Sequence, residues 1–286
     1  MNRSSHDLAR WRAWVGREAT ADDVIDLQRV AAMQALLDRD EGLKAGDPLP
    51  PLWHWLYFWQ TAAQSALGSD GHAARGEFLP PIELPRRMWA GSRLRFPRPL
   101  PIGAAATRRS TIASVEEKRG RSGRLAFVTV RHEVAVAGVT CIEEEHDIVY
   151  REAPRGDAPP PESEPAPASA AWRRKIRPDP VLLFRYSALT FNGHRIHYDR
   201  TYATEVEGYP GLVVHGPLLA TLMVDLARRE RPQARIAAFQ FRARAPLLDG
   251  APFTLAGAPA PDGKSAALWV AGPQGELAMQ GSVELG

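Results

Sequence analysis

The sequence predicts an α+β protein of two similar halves, each an antiparallel sheet wrapped around a central helix, the two packed as a pseudo-dimer. Three observations predict it. Pro99-Leu100-Pro101-Ile102-Gly103 is matched by Pro246-Leu247-Leu248-Asp249-Gly250 at an offset of 147 residues, each closing an Arg-rich strand. Each half places a nearly all-apolar helical run ahead of a series of strand-like runs. Residues 153–171, between the halves, are Pro, Ala, Ser and Glu with almost nothing to bury, the composition of an extended, solvated linker. The predicted division is an N-terminal domain over 1–152, the linker over 153–171 and a C-terminal domain over 172–286.

Thr20-Ala21-Asp22-Asp23 reads as a helix N-cap with acid in the first turn, and Val24, Leu27, Val30, Ala31, Leu36 and Leu37 recur at helical spacing. An amphipathic helix over 21–38 is expected. Pro48, Pro50 and Pro51 lead into Trp53-His54-Trp55-Leu56-Tyr57-Phe58-Trp59, apolar nearly all round. This run, ending at Gly68, predicts the buried central helix of the first half, with its aromatics as core. Gly71, Gly76, Pro80, Pro81 and Pro85 make 69–90 a loop. Strands are expected near 91–97, 106–117, 123–136 and 139–150, with Arg119 to Gly123 as a turn.

Trp172-Arg173-Arg174-Lys175-Ile176-Arg177 reads as a solvated basic face, and the apolar run from Val181 as a strand. Pro217 suits a first helical turn, where its missing N–H would be unpaired anyway, and Arg228 and Arg229 suit the far end. The segment between them is apolar on all faces, so this helix, 216–229, is the central helix of the second half. Ala237, Phe239, Phe241, Ala243 and Ala245 alternate with polar residues as a half-buried strand. Asp262-Gly263 and Pro273-Gln274-Gly275 separate further strands over 252–258, 264–271 and 276–285.

The bulk composition excludes several classes. At 286 residues with 44% hydrophobic and 24% charged content, the chain is an ordinary globular protein. A net charge of +3 demands neither nucleic acid nor a membrane surface. The single Cys141 excludes an internal disulfide framework and a Cys-rich zinc module. Met1 to Gly16 lacks the apolar run of a signal peptide, and no window reaches the roughly 18 apolar residues of a membrane span, so a cytoplasmic protein is expected. No Gly-x-Gly-x-x-Gly element follows a strand, so dinucleotide binding is unsupported. His194, His197 and His215 invite a zinc reading, but no metal is expected, because a catalytic zinc needs three ligands with organised partners.

The chemistry concentrates in Ser187-Ala188-Leu189-Thr190-Phe191-Asn192-Gly193-His194-Arg195-Ile196-His197-Tyr198-Asp199, followed by Val214-His215-Gly216-Pro217. This stretch resembles the MaoC-like, or R-specific hydratase 2, family, whose loop reads approximately Ser-x-Leu-Thr-Gly-Asp-x-Asn-Pro-x-His-x-Asp. Residues 78–91, from Phe78-Leu79-Pro80-Pro81 to Trp89-Ala90-Gly91, extend the likeness into the first half. The resemblance implies a double hot-dog fold and reversible hydration of an enoyl-CoA thioester. It implies no cofactor, CoA being part of the substrate, and is compatible with a homodimer. Among tandem members the likeness is to those acting on branched C5 dicarboxylic thioesters, mesaconyl-C4-CoA or itaconyl-CoA, giving citramalyl-CoA.

On that resemblance His197 is the general acid/base, since imidazole titrates near neutrality and can both take and return a proton. Asn192 stands where the family has Asp. It cannot take a proton, so it is expected to fix the water or orient His197, with His194 or Tyr198 as a sharer of the proton transfer. Asp199 either orients the loop or stabilises its turn. The family's role for the helix-opening glycine, donating N–H to the thioester oxygen, passes to Gly216, with Val214 and His215 beside it as substrate contacts. A dicarboxylic substrate needs a cation for its free carboxylate, and Arg185, Arg195, Arg86 and Arg87 are the candidates. The first half, lacking the Asn/Asp–His pair, is expected to shape the acyl pocket and dock CoA. A fatty-acid-type hydroxyacyl-thioester dehydratase, a hot-dog thioesterase and a non-catalytic acyl-CoA-binding module are the alternatives.

Overall fold

The computed structural model describes residues 3–73, 78–120, 123–152 and 163–286. In chain order its elements are α1 (Arg3–Arg12), β1 (Glu18–Val24), α2 (Leu27–Leu36), β2 (Arg86–Arg95), β3 (Ala105–Gly120), β4 (Gly123–Val136) and β5 (Val139–Arg151). The second half follows with β6 (Trp172–Ile176), α3 (Pro180–Thr190), α4 (Gly216–Glu230), β7 (Ile236–Ala243), β8 (Phe253–Pro259), β9 (Ser265–Ala271) and β10 (Leu277–Leu285). The strands form one antiparallel sheet in the order β1-β3-β4-β5-β2-β7-β10-β9-β8-β6. The expected strands are present except the one read from Val181; Arg121 and Ser122 of the expected turn lie outside the described residues, as does Gly76 in the expected loop.

The two halves meet through β2 and β7, with Gly91 opposite Arg242 and Leu94 opposite Phe239. Gly91 permits this approach, because a Cβ there would overlap the carbonyl oxygen of Phe241. The strand order reads the same from either edge, β1 matching β6 and β3 matching β8. The internal repeat has a structural basis in paired hydrogen bonds. Leu49 N–H donates to Leu100 O at 2.7 Å in one half, and Val214 N–H to Leu247 O at 2.8 Å in the other; Ile102 N–H reaches Asp47 O as Asp249 N–H reaches Leu212 O, both at 2.9 Å. Asp26 caps α2 through Arg29 N–H, and Asp179 caps α3 through Leu182 N–H.

This correspondence places residues 53–56 where α4 begins in the second half. The expected helix over 53–68 is not there. Trp53–Leu56 makes one 3-10 turn and Gln64–Ala66 another, and Leu52 and Phe58 adopt left-handed backbone, φ 71° and 59°. Side-chain anchors hold the run in this shape. Asp23 accepts the Phe58 N–H at 2.8 Å, while Glu144 accepts from His54 Nε2 at 3.1 Å and Trp55 Nε1 at 3.0 Å. A run apolar on every face carries no period, so it does not distinguish a helix from a buried irregular segment. The helix expected over 21–38 divides into β1 and α2, because Asp26 rather than Thr20 is the cap.

The second half keeps its helix. Every residue from Leu218 to Ala227 is buried in α4, which packs against β6 to β10. The run from Val181 is the helix α3 and not a strand, for Asp179-Pro180 supplies cap and first turn, and Leu183, Tyr186 and Ser187 bury one face at three- and four-residue spacing. The basic run from Trp172 is the edge strand β6, and its Arg174 turns inward to Asp225 at 2.8 Å. Of the expected linker, 153–162 lie outside the described residues; 163–171 is docked, with Ala166 N–H on Gly275 O and Leu277 N–H on Glu164 O. Among the described residues no helix is long and apolar enough to cross a membrane.

Asp225 ties the halves together from inside α4. Its carboxylate is 1% exposed and receives Arg39 Nε at 2.6 Å from the first half, Arg174 at 2.8 Å and Arg229 Nε at 2.8 Å. Removing one member of a buried ion pair leaves the others uncompensated, at about 3–5 kcal/mol. Asp225→Ala is therefore expected to lower unfolding free energy by about that amount in urea titration. A loss of less than about 1 kcal/mol, the scale of an exposed pair, would mean that Asp225 does not hold the three guanidiniums.

Candidate active site

The site forms where α3 ends, at a loop whose shape is set by Phe191. This residue caps α3 in the left-handed region (φ 50°), and Asn192 N–H returns to Ser187 O at 2.8 Å. Asn192 Oδ1 then accepts the His194 N–H at 3.0 Å. A 3-10 turn over Arg195–His197 delivers His197 to the interior, 8% exposed. Asp199 continues the turn, accepting Tyr202 N–H at 3.0 Å and pairing with Arg195 at 2.7 Å. Tyr198 points outward and donates to Gly193 O.

His197 Nδ1 lies 2.7 Å from the carbonyl oxygen of Val213. A carbonyl only accepts, so Nδ1 carries the hydrogen, and Nε2 keeps its lone pair with no hydrogen bond among the described residues. Burial pushes the imidazole down to about 4, partly offset by the Val213 carbonyl and reinforced by His72. The ring is therefore a neutral base at physiological pH. Asn192 does not orient it; Val213 does.

His215 stacks on His197 at 3.7 Å between centroids, 19° from parallel. It is fully buried, its Nε2 2.9 Å from Ser187 Oγ and its Nδ1 without a partner among the described residues, and burial holds it well below the usual imidazole range. The expectation that His215 contacts substrate is corrected on that ground: the residue backs His197. Val214 is also buried, and its N–H is spent on Leu247 O. Gly216, the first residue of α4, is partly exposed, as is Pro217, between the buried His215 and Leu218, and its N–H reaches no acceptor among the described residues. A Cβ there would meet only Met279 Cε, at 4.0 Å.

A loop of the first half completes the site. Asp70 and His72 pair through Oδ2 and Nδ1 at 3.0 Å, and the His72 ring lies 4.2 Å from His194, which meets His197 edge-on at 5.3 Å. Burial alone would raise the Asp70 carboxyl, but the ring and backbone N–H of His72 hold it well below the usual carboxylate range. The loops touch backbone to backbone: Arg195 N–H donates to Asp70 O at 3.0 Å, and a Cβ on Gly71, at φ 85°, would overlap Gly193 O. Asp70, His72 and His194 can bring one ligand atom each within 4.8 Å of one another, a donor set able to hold a divalent cation. This differs from the trio that the sequence suggested. Beside it opens a cleft of about 330 Å³ whose lining includes Asp70, His72, Pro85, Arg87, Tyr202 and Glu207.

The expected substrate arginines in the second half do not line this cleft. Arg195 is committed to Asp199 and to Ser69 O at 3.0 Å, and Arg185 stands exposed on α3. Sequence reasoning missed Asp70 and His72, which it passed over as loop. The available signal was two chemistry-bearing residues flanking a glycine in a Pro/Gly-rich segment, where a rigid scaffold commonly presents functional groups.

Residues 52–249 match the family model described as hydroxyacyl-thioester dehydratase type 2. The chain is 52% identical over 280 residues to the mesaconyl-C(4)-CoA hydratase of Chloroflexus aurantiacus, covering 97% of this chain and 99% of that protein. Among solved structures it resembles a MaoC-like dehydratase from Phytophthora capsici (TM-score 0.69, 12% identity, covering 97% and 98% of the chains). It also resembles a Mycobacterium tuberculosis protein described as a double hotdog fold (TM-score 0.58, 15% identity, covering 95% and 96%). The chain belongs to the hydroxyacyl-thioester dehydratase type 2 family and has the double hot-dog fold of the MaoC-like dehydratases.

Proposed function

We propose that the protein is an enoyl-CoA hydratase acting on a branched C5 dicarboxylic thioester, mesaconyl-C4-CoA or itaconyl-CoA, to give citramalyl-CoA. The observation that carries the chemistry is His197: a buried, neutral imidazole with Nδ1 tied to Val213 and Nε2 free. The substrate follows the 52% identity to a protein named for mesaconyl-C4-CoA hydration.

The thioester oxygen accepts the Gly216 N–H at the positive end of α4. Water adds to the β-carbon while His197 Nε2 takes its proton. Negative charge moves to the thioester oxygen, where the N–H and the helix dipole strengthen with the developing charge. In the mesaconyl-C4 thioester, whose double bond joins the α- and β-carbons, the imidazolium, disfavoured by burial, then returns its proton to the α-carbon; the sum is one water across the double bond. Asn192 holds the water through its amide NH2, its Oδ1 being spent on His194. No step needs a cofactor, CoA being part of the substrate. A reducing cytoplasm suits the free Cys141, and a homodimer is compatible with the reading.

The reading is tested by loss of enoyl-thioester absorbance with a thiol reagent present. Hydration lowers the absorbance without releasing CoA and favours mesaconyl-C4-CoA over crotonyl-CoA. Release of CoA would indicate a thioesterase, and a preference for crotonyl-CoA the fatty-acid-type dehydratase. His197→Ala is expected to lower kcat on the order of 100- to 10,000-fold with folding intact. Because the base is neutral above about 4, kcat/KM in wild type should stay level down to about pH 5 and fall only below that. A limb centred near 6.5 would place another group, or an exposed His197, in the step.

Gly216→Ala separates a ligand's need for glycine from the protein's. The protein leaves room for the methyl group, so Tm should move by less than about 2 °C. The methyl group displaces the thioester oxygen from its donor, and kcat/KM should fall on the order of 100-fold. Unchanged kcat/KM would remove Gly216 from the oxyanion site.

A further inference from the structure

Resting on the dicarboxylic reading above, we propose that Arg87 holds the free carboxylate of the acyl group, making the 330 Å³ cleft the acyl-carboxylate subsite. Four arginines could meet that carboxylate, and the structure spends or displaces three. Arg195 is bound to Asp199 and Ser69 O, and Arg185 is exposed on α3, outside the cleft lining. Arg86 donates to Glu207 O at 2.9 Å and faces the Glu207 carboxylate at 3.6 Å. Arg87 lines the cleft, partly buried, and among the described residues no hydrogen bond or ion pair engages its guanidinium.

The charge balance of the lining points the same way. Its two carboxylates are already met: Asp70 by His72 at 3.0 Å, Glu207 by Arg86 and by Tyr202 OH at 3.3 Å. Among the described lining residues Arg87 is the cation left without a counter-ion. A partly desolvated guanidinium without a counter-ion is costly, and a bidentate carboxylate is the ligand its fork fits. Its backbone is fixed in the β2–β5 ladder opposite Tyr150, just before the bulge between Trp89 and Gly91. The guanidinium is close enough to His194 on one side and His146 on the other for its charge to disfavour protonation of both.

Location and chemistry agree. In a mesaconyl-C4 thioester the carboxylate is bonded to the carbon that water attacks, so its cation must neighbour the base. The cleft wall and His197 are separated by one imidazole, His194, whose ring lies 4.2 Å from that of His72 and tilted against it, and meets His197 edge-on. Neutralising the carboxylate also removes negative charge beside the attacked carbon and restores its electrophilicity. Arg87 would then act on turnover as well as on binding, while His197 keeps the proton transfer.

The test measures binding of saturated thioesters, which cannot be hydrated, by titration calorimetry. Wild type should bind succinyl-CoA more tightly than butyryl-CoA by roughly 10- to 150-fold, the loss of a charge-assisted hydrogen bond. Arg87→Met should bring that ratio close to one, and Arg87→Lys, keeping charge without the fork, should hold part of it. A ratio taken within one preparation is insensitive to the folded fraction. An unchanged ratio in Arg87→Met overturns the proposal, as does absence of discrimination in wild type. Equal weakening of both ligands also overturns it, placing Arg87 on the CoA phosphates. Since binding is read apart from turnover, a wild type that discriminates but hydrates nothing would overturn the hydratase reading and leave this one standing.

Discussion

The architecture depends on the burial of α4. A helix apolar on every face from Leu218 to Leu222 and buried through Ala227 has one place to go, the concave side of a sheet. Its N-terminus then has to emerge at the sheet's mouth. There Gly216 is partly exposed while Val214, His215 and Leu218 are not. The segment leading into the helix is pinned by Val213, whose N–H donates to Ile196 O at 2.9 Å and whose carbonyl accepts from His197 Nδ1 at 2.7 Å. One residue thus fixes the tautomer of His197 and holds its ring beside the N-terminus of α4. Placing a hydrogen-bond acceptor and a donor at fixed separation before substrate arrives is the preorganisation that transition-state stabilisation needs.

The two halves have diverged around a shared frame. The hydrogen bonds at Leu49–Leu100 and Val214–Leu247 keep the pseudo-symmetry, yet the first half has one 3-10 turn where the second has fifteen residues of helix. The space is occupied by polar groups. Glu144, 4% exposed, accepts from His54, Trp55 and Ser92, and burial keeps His132 and His146 neutral. The first half also sends the Asp70–His72 loop across to the catalytic loop. Gly71 and Gly193 make that contact feasible, since a side chain on either would strike the other's backbone. Its contribution to the site is therefore electrostatic and local, and among the described residues it has no counterpart of α4.

Legibility in the sequence followed the range of the signal. The strands β3 to β5 and β7 to β10 are legible because alternation and turn residues are local, and α4 because Pro217 and the terminal arginines mark its ends; β6, read as a basic face, is not. His197 and Gly216 were found by motif, and the structure brings them to one mouth. The failures share a cause. Uniformly apolar runs carry no period, so 53–68 reads as helix and the run from Val181 as strand; the deciding side chains, Glu144 and Asp179, lie outside those runs or before them. Asp70 and His72 gain meaning only through a docking more than 120 residues away in sequence, recorded by the bond from Arg195 to Ser69 O. By analogy with the family's acid, Asn192 is expected to fix the water or orient His197. Its Oδ1 turned instead to the nearest backbone donor, as short amide side chains in turns commonly do.

The central claim is that His197 waits as a neutral imidazole with its hydrogen on Nδ1 and its base at Nε2. Long-range proton–nitrogen correlation spectra of histidine-labelled protein observe this directly, with His197→Ala assigning the signal. The account predicts an Nδ1–H tautomer for His197 from pH 8 down to about 5, with protonation only near about 4. An Nε2–H tautomer, or titration at the ordinary imidazole value near 6.5, would contradict it.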